Sequence, residues 1–290
     1  VAISDLVGKV FSSQFIAGVE QVTPILSLAN DRSSEVQRNG DGLEIGLTQD
    51  LVTIADYPSD GSDITYSKLS PNKATLELDK EKYIAFEVED IDSAQIAFNL
   101  FAEGARQSGV EFSKQLNADL RATIAGATPV KTFSQEIAKS GDTPEQRTAL
   151  SLLMYDIKEF MMLTGYAVTP SLLIHPATYK RLITYVTDDK PQTSSAVERR
   201  AFVDATLSGI YGINFIVDWG ATIDATDPND NANSYSMVGG RTLVYAGQLS
   251  RIEQMRSVGR FASQWRGLQT YGSAIQETRS LVKFEQTVEE

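Results

Sequence analysis

Residues 82–98, KYIAFEVEDIDSAQIAF, constrain the fold most, because a strand period gives way there to a helix period. Alternate side chains of a strand take opposite faces. Ile84, Phe86 and Val88 therefore share one face, and Tyr83, Ala85, Glu87 and Glu89 share the other. Asp92 then reads as a helix N-cap with Gln95 three residues on, the pattern of a capping box. Ile91 and Ile96 sit at hydrophobic-staple positions, and Glu89 and Asp90 lie where a helix dipole favours negative charge. The carboxylates Glu87, Glu89, Asp90 and Asp92 are thus accounted for as strand-to-helix punctuation. Paired catalytic acids would need a shared cleft, and no other signal in the sequence indicates one.

The helix that follows is expected from Ser93 to about Ile124, roughly 48 Å long. Phe112, Leu116, Leu120 and Ile124 recur at a spacing of four, with Phe98 and Phe101 further back. Gly104 and Gly109 each weaken it by about 1 kcal/mol relative to Ala and mark places for a bend. So narrow a strip on so long a helix suits a beam lying across a sheet. A second helix opens at DTPEQRTALSLLMYDIKEFMMLTG: Thr143 as N-cap, Pro144 in the first helical position, Gln146 completing a capping box, Gly165 as the stop. Its core face is Leu150, Leu153, Met154, Ile157, Phe160 and Met161. Downstream, AVTPSLLIHP reads as a buried strand, ATYKRLITYV and SAVERRAFVDATLSG as helices and GINFIVDWG as a strand. The final third is strand-rich, with a turn expected at Tyr271–Gly272.

Two segments look unable to stand alone. Residues 1–29 carry a narrow helical stripe interrupted at Gly8, Gly18 and Pro24, an N-terminal arm that needs something to lie against. Residues 39–78 alternate like strands on both sides of PSDGSD, whose Pro, Asp and Gly are turn residues. This predicts a two-stranded ribbon with its tip near Asp60 and Gly61. An isolated hairpin is marginal in water, so such a ribbon implies a partner.

Composition removes most chemistry. The 290 residues include no Cys and one His, His175, which excludes thiolate zinc, iron–sulfur clusters, disulfides, Cys nucleophiles and His-rich metal sites. The charge is −12, and the strongest basic cluster is the pair Arg199 and Arg200, against the basic patch that specific duplex binding requires. No apolar run approaches the ~18 residues of a membrane helix, and no signal peptide opens the chain. The start at Val1 is read as a removed Met or a processed terminus. Asp224, Asp227 and Asp230 are spaced by three and lack an EF-hand's alternation, so they read as a solvated loop. A hydrolase would need His175 as base, but there is no G-x-S-x-G elbow. The glycines of VGGRTLVYAG lack phosphate-loop spacing. No catalytic residue, metal or cofactor is predicted, and the protein is read as not an enzyme.

The order of the pieces carries more than any one of them. YIAFEVEDIDSAQ flowing into a long helix resembles the entry to the spine helix of tailed-phage major capsid proteins with the Hong Kong 97-like fold. NGDGLEIGL…ADYPSDGSDITYSKL…LELDKEKY is similar to that family's extended ribbon, the E-loop, and LLIHPATYKRL to the strand and helix of its axial domain. GINFIVD, RTLVYAGQLSRIEQMRS and GLQTYGSAI resemble the strands that close the axial domain and return to the peripheral one. The resemblance implies an α+β fold with an N-terminal arm at 1–38, the ribbon at 39–80, a peripheral domain with spine helix at 81–140 and 256–290, and an axial domain at 141–255. It implies a coat protein forming pentamers and hexamers around double-stranded DNA in the virion, assembled in the host bacterial cytoplasm. Scaffold, portal and decoration proteins are further partners; there is no sequence-specific DNA contact and no membrane. Pro58, Asp60, Gly61 and Lys68 on the ribbon and Phe11 and Phe15 on the arm are the inter-subunit contact candidates. Lys68 and Lys73 lie in the ribbon, but neither matches the lysine through which some members crosslink. An encapsulin-type nanocompartment shell shares the fold and is the alternative; a hydrolase using His175 or the Asp loop is a more distant one.

Overall fold

A computed structural model describes residues 14–15, 24–36, 42–46, 56, 66, 73–90, 100–137, 143–163, 170–185, 211–218, 234–237, 242–278 and 281–288. The Asp92–Gln95 capping box, the ribbon tip, the Asp loop, Gly165, Phe11 and the Arg199–Arg200 pair lie outside these residues. In chain order the elements are a 3₁₀ turn Ile25–Leu28, β1 Asn30–Asp31, a 3₁₀ turn Ser33–Glu35, β2 Gly42–Gly46, β3 Lys73–Glu77 and β4 Lys80–Glu89. There follow α1 Leu100–Gly126, β5 Lys131–Ile137, α2 Pro144–Leu163, β6 Ser171–Ile174, α3 Pro176–Thr184, β7 Asn214–Val217 and β8 Ser234–Met237. The chain closes with β9 Leu243–Arg256, β10 Ala262–Ile275 and β11 Val282–Val288.

The strands form a sheet ordered β1-β9-β10-β4, a second ordered β5-β11-β8-β6-β7, and the pair β2-β3. β4 pairs with β10 antiparallel over its whole length, Lys80 opposite Tyr271 and Glu89 opposite Ala262. Its side chains alternate as expected: Ile84, Phe86 and Val88 are half-buried while Tyr83, Ala85, Glu87 and Glu89 are exposed. β2 and β3 pair antiparallel from Gly42↔Glu77 to Gly46↔Lys73, which gives the ribbon its base. Ile45 and Leu76 of this pair are buried with Val244 and Ala246 of β9, so the β2–β3 pair packs on the first sheet.

α1 is the beam, about 40 Å long at 1.5 Å per residue. Phe112, Leu116, Leu120 and Ile124 are buried, in one cluster with Leu243 and Tyr245 of β9, Tyr271 of β10 and Leu173 of β6. α1 thus packs on both large sheets. That explains why all four residues of β6 are buried: Leu173 faces the α1 cluster, while Leu172 and Ile174 face a second core built by Leu150, Met154, Ile157 and Met161 of α2. A strand covered on both faces reads as a continuous apolar run. α2 begins as expected: the Thr143 amide donates to Gln146 Oε1 (3.2 Å) and the Gln146 amide donates to Thr143 Oγ1 (3.3 Å).

Two expectations are revised. Tyr271–Gly272 is no turn but the middle of β10, opposite Gly247 and Ala246 of β9. Glycine is needed at 272 because a Cβ there would collide with the Glu77 carbonyl at the end of β3. Gly104 likewise marks a close approach: α1 is helical throughout Leu100–Gly126, and a Cβ at 104 would stand 3.0 Å from the Phe86 ring. β5 and β11 hydrogen-bond in parallel to each other inside the sheet that holds β6 and β7. β9 belongs to the sheet of β4 and β10.

Candidate assembly surface

The corner after β4 is held by an ion pair and by hydrogen bonds. Asp90, beyond the end of β4, receives two hydrogen bonds from Arg256 at the end of β9, Nη1 to Oδ1 at 2.9 Å and Nη2 to Oδ2 at 2.8 Å. Hydrogen bonding to the Arg256 guanidinium holds the Asp90 carboxyl below its usual range. The Asp90 amide donates to the Phe261 carbonyl (2.9 Å), and Glu87 accepts from Gln264 Nε2 (2.6 Å) across the β4–β10 pair. Two of the four carboxylates are therefore engaged in joining β4 to the β9–β10 hairpin, and among the described residues no three Asp, Glu, His or Cys side chains cluster as a metal site would require. His175 stands between β6 and α3, where its carbonyl accepts the Tyr179 amide (3.0 Å) that begins the helix.

Polar contacts also fasten α1 to each sheet. Tyr271 of β10 donates its hydroxyl to Asp119, and the hydroxyls of Thr123 and Ser273 meet at 2.7 Å. Two residues beyond Asp119, Arg121 reaches the other way and grips Asp218 at the end of β7. Burial and the Asp119 carboxylate both push the Tyr271 hydroxyl upward in pKa, so it stays a donor.

Around this core, large apolar side chains remain exposed. Val258 is fully exposed and Phe261 is 83% exposed, both in the β9–β10 turn. On α2, Leu152, Tyr155, Met162 and Leu163 form a second apolar face, opposite the one that enters the core. Tyr83 and Leu268 stand over a groove of about 490 Å³ on the outer face of the first sheet, crossed by the Arg266–Glu253 ion pair. Exposed apolar patches on a folded body mark interaction surfaces. Sequence reasoning missed those on α2 because it followed the core stripe alone; leftover Leu152, Met162 and Leu163 off that stripe were the available signal. Of the six contact candidates, Pro58, Asp60, Gly61, Lys68 and Phe11 lie outside the described residues. Phe15 is 3% exposed and packs its ring on Phe112 at 5.6 Å, so its side chain is part of the chain's own core.

A long helix packed on two sheets, with the strand pair β2–β3 against the first of them, defines a shell-building fold, the Hong Kong 97-like capsid fold. Solved structures carry the same arrangement at low identity. One from Mycobacterium phage Che8 matches with a TM-score of 0.62 and 17% identity, covering 89% of each chain. The capsid of cyanophage P-SCSP1u matches with a TM-score of 0.67 and 12% identity over 91% of this chain and 88% of that one. A virus-like particle from Pyrococcus furiosus matches with a TM-score of 0.58 and 14% identity over 96% and 98%. No curated protein matches the sequence. The family model described as phage capsid protein matches residues 73–284, and the chain belongs to that family. It is a structural protein of the capsid shell.

Proposed function

We propose that copies of this chain assemble into the pentamers and hexamers of an icosahedral head enclosing the double-stranded DNA of a tailed phage. The observation that carries this reading is the phage capsid family match across residues 73–284, which includes α1, α2, α3 and most strands of both large sheets. Exposed apolar residues on α2 and at the β9–β10 turn supply surfaces for neighbours. The four-stranded sheet with α1 is the peripheral domain, and the five-stranded sheet with α2 and α3 the axial one. Pro58, Asp60, Gly61 and Lys68 on the ribbon, and Phe11 on the arm, contact adjacent subunits. A net charge of −12 suits a container that must not grip its DNA. Assembly takes place in the host cytoplasm, with scaffold, portal and decoration proteins as further partners. A second reading, a nanocompartment that encloses cargo protein, draws support from the near-complete mutual coverage with the Pyrococcus furiosus particle.

Light scattering on the chromatographed protein, then electron microscopy of any large species, tests the proposal. Closed particles or capsomers are expected, and nuclease-protected DNA inside particles from infected cells separates a genome container from a cargo shell. A stable 31.7 kDa monomer at high concentration, with scaffold supplied, overturns both readings.

A further inference from the structure

α2 has two apolar faces where a surface helix ordinarily has one. Leu150, Met154, Ile157 and Met161 enter the second core. Leu152, Tyr155, Met162 and Leu163 are exposed, and at 3.6 residues per turn they fall together on the opposite side. The strip from Leu152 to Leu163 is three turns long, about 16 Å. An apolar strip of that kind on a folded helix marks a place where something binds.

Charge narrows what it takes. The exposed charged residues of α2 are Glu145, Asp156 and Glu159, all acidic. Its two cations, Arg147 and Lys158, are half-buried, and the helical period sets them beside the core face. The Lys158 ammonium fills the space that a Cβ on Gly212 would need, so it points away from the outer face. The strip is therefore flanked by carboxylates. The other exposed apolar surface, Val258 and Phe261 in the β9–β10 turn, has Arg260 between them. An acidic copy of this chain, at charge −12, suits that turn; against α2 it would bring like charges together. Two α2 faces pressed on each other would do the same.

We propose that the outer face of α2 docks a basic amphipathic helix of a second protein. Its apolar side lies on the strip from Leu152 to Leu163, and its cations reach Asp156 and Glu159. This is the recognition of an amphipathic helix by apolar contacts three and four residues apart, with charge fixing partner and orientation. The inference stands apart from the shell reading, because the face is open on the single subunit.

Titrating unassembled subunits with a labelled Leu/Lys peptide of about 18 residues, five helical turns, and following fluorescence anisotropy tests it. Saturable binding is expected. A peptide of the same composition, ordered so that its helix has no apolar side, is expected to bind at least about tenfold more weakly. Leu152→Ser with Met162→Ser, both at exposed positions, is expected to leave a folded subunit that binds the first peptide at least about tenfold more weakly. Glu159→Lys is expected to weaken binding at low salt, by a factor that shrinks at about 0.5 M salt. Tyr83→Ser with Leu268→Ser, which removes exposed apolar groups from the first sheet instead, is expected to bind as the parent does. Binding that both α2 variants leave unchanged, or that the reordered peptide matches, overturns the proposal. An α2 double variant that binds the peptide normally but forms no closed particles also overturns it, and assigns the face to a second copy.

Discussion

Arg121 and Asp218 join the beam helix to the second sheet through two parallel hydrogen bonds, Nε to Oδ2 at 2.6 Å and Nη2 to Oδ1 at 2.7 Å. Ninety-seven positions separate them in the chain, and Asp218 is buried. Removing one partner strands the other. Asp218→Ala should therefore destabilise the subunit by about 3 kcal/mol in denaturant melts. Arg121→Met combined with Asp218→Leu should recover most of that loss, since two apolar groups leave no uncompensated charge. An Asp218→Ala subunit as stable as the parent would show that the pair holds nothing.

Gly104 lets α1 approach Phe86. Gly104→Val should cost about 1–3 kcal/mol by overpacking, although any residue but Pro improves helix propensity over Gly. Phe86→Leu in the same chain should restore stability by vacating the space. If Gly104→Val raises the melting temperature by itself, propensity and not packing governs the position.

The Asp90–Arg256 pair has a defined pH signature. The folded-state pKa of Asp90 is depressed, so its contribution is fully present above the usual carboxylate value of 3.8 and is lost as pH falls through the lower folded value. Arg256→Met should thus be less stable than the parent at neutral pH, with the two curves converging in acid below 3.8. Parallel curves across that range would remove Asp90 as the partner that matters.

Tyr211 is fully buried beneath α2, with its hydroxyl 3.0 Å from Ser151 Oγ. Burial pushes its pKa up to about 12 from 10.0. A raised pKa on an acid means that the neutral form is favoured by folding; its contribution is present below 10 and fades as pH rises to about 12. Absorbance titration should show a late-ionising tyrosine that Tyr211→Phe removes, at a stability cost of about 1 kcal/mol for the lost hydrogen bond. A titration unchanged in that variant would refute the assignment.

Deleting residues 57–63 should leave folded subunits that assemble poorly, because the base of the ribbon, Gly42–Gly46 paired with Lys73–Glu77, lies outside the deletion. Circular dichroism checks folding and electron microscopy checks assembly. Normal shells from this deletion would remove the ribbon tip from the assembly contacts.

Local physics was legible in the sequence. The Thr143–Gln146 capping box formed because both partners lie within one helical turn. The alternation of β4 and the strip Phe112, Leu116, Leu120 and Ile124 followed from period alone. The absence of Cys and the single His narrowed the chemistry before any fold was known. Tertiary structure decided the rest, because strand pairing and close approach depend on residues far apart in the chain. No periodicity announces that β11 pairs with β5, that Arg121 meets Asp218, or that Gly272 yields its space to the Glu77 carbonyl. The place of β4 at the end of its sheet is of the same kind: whether a strand has one neighbour or two is set by sheet order, which the strand's own residues do not encode.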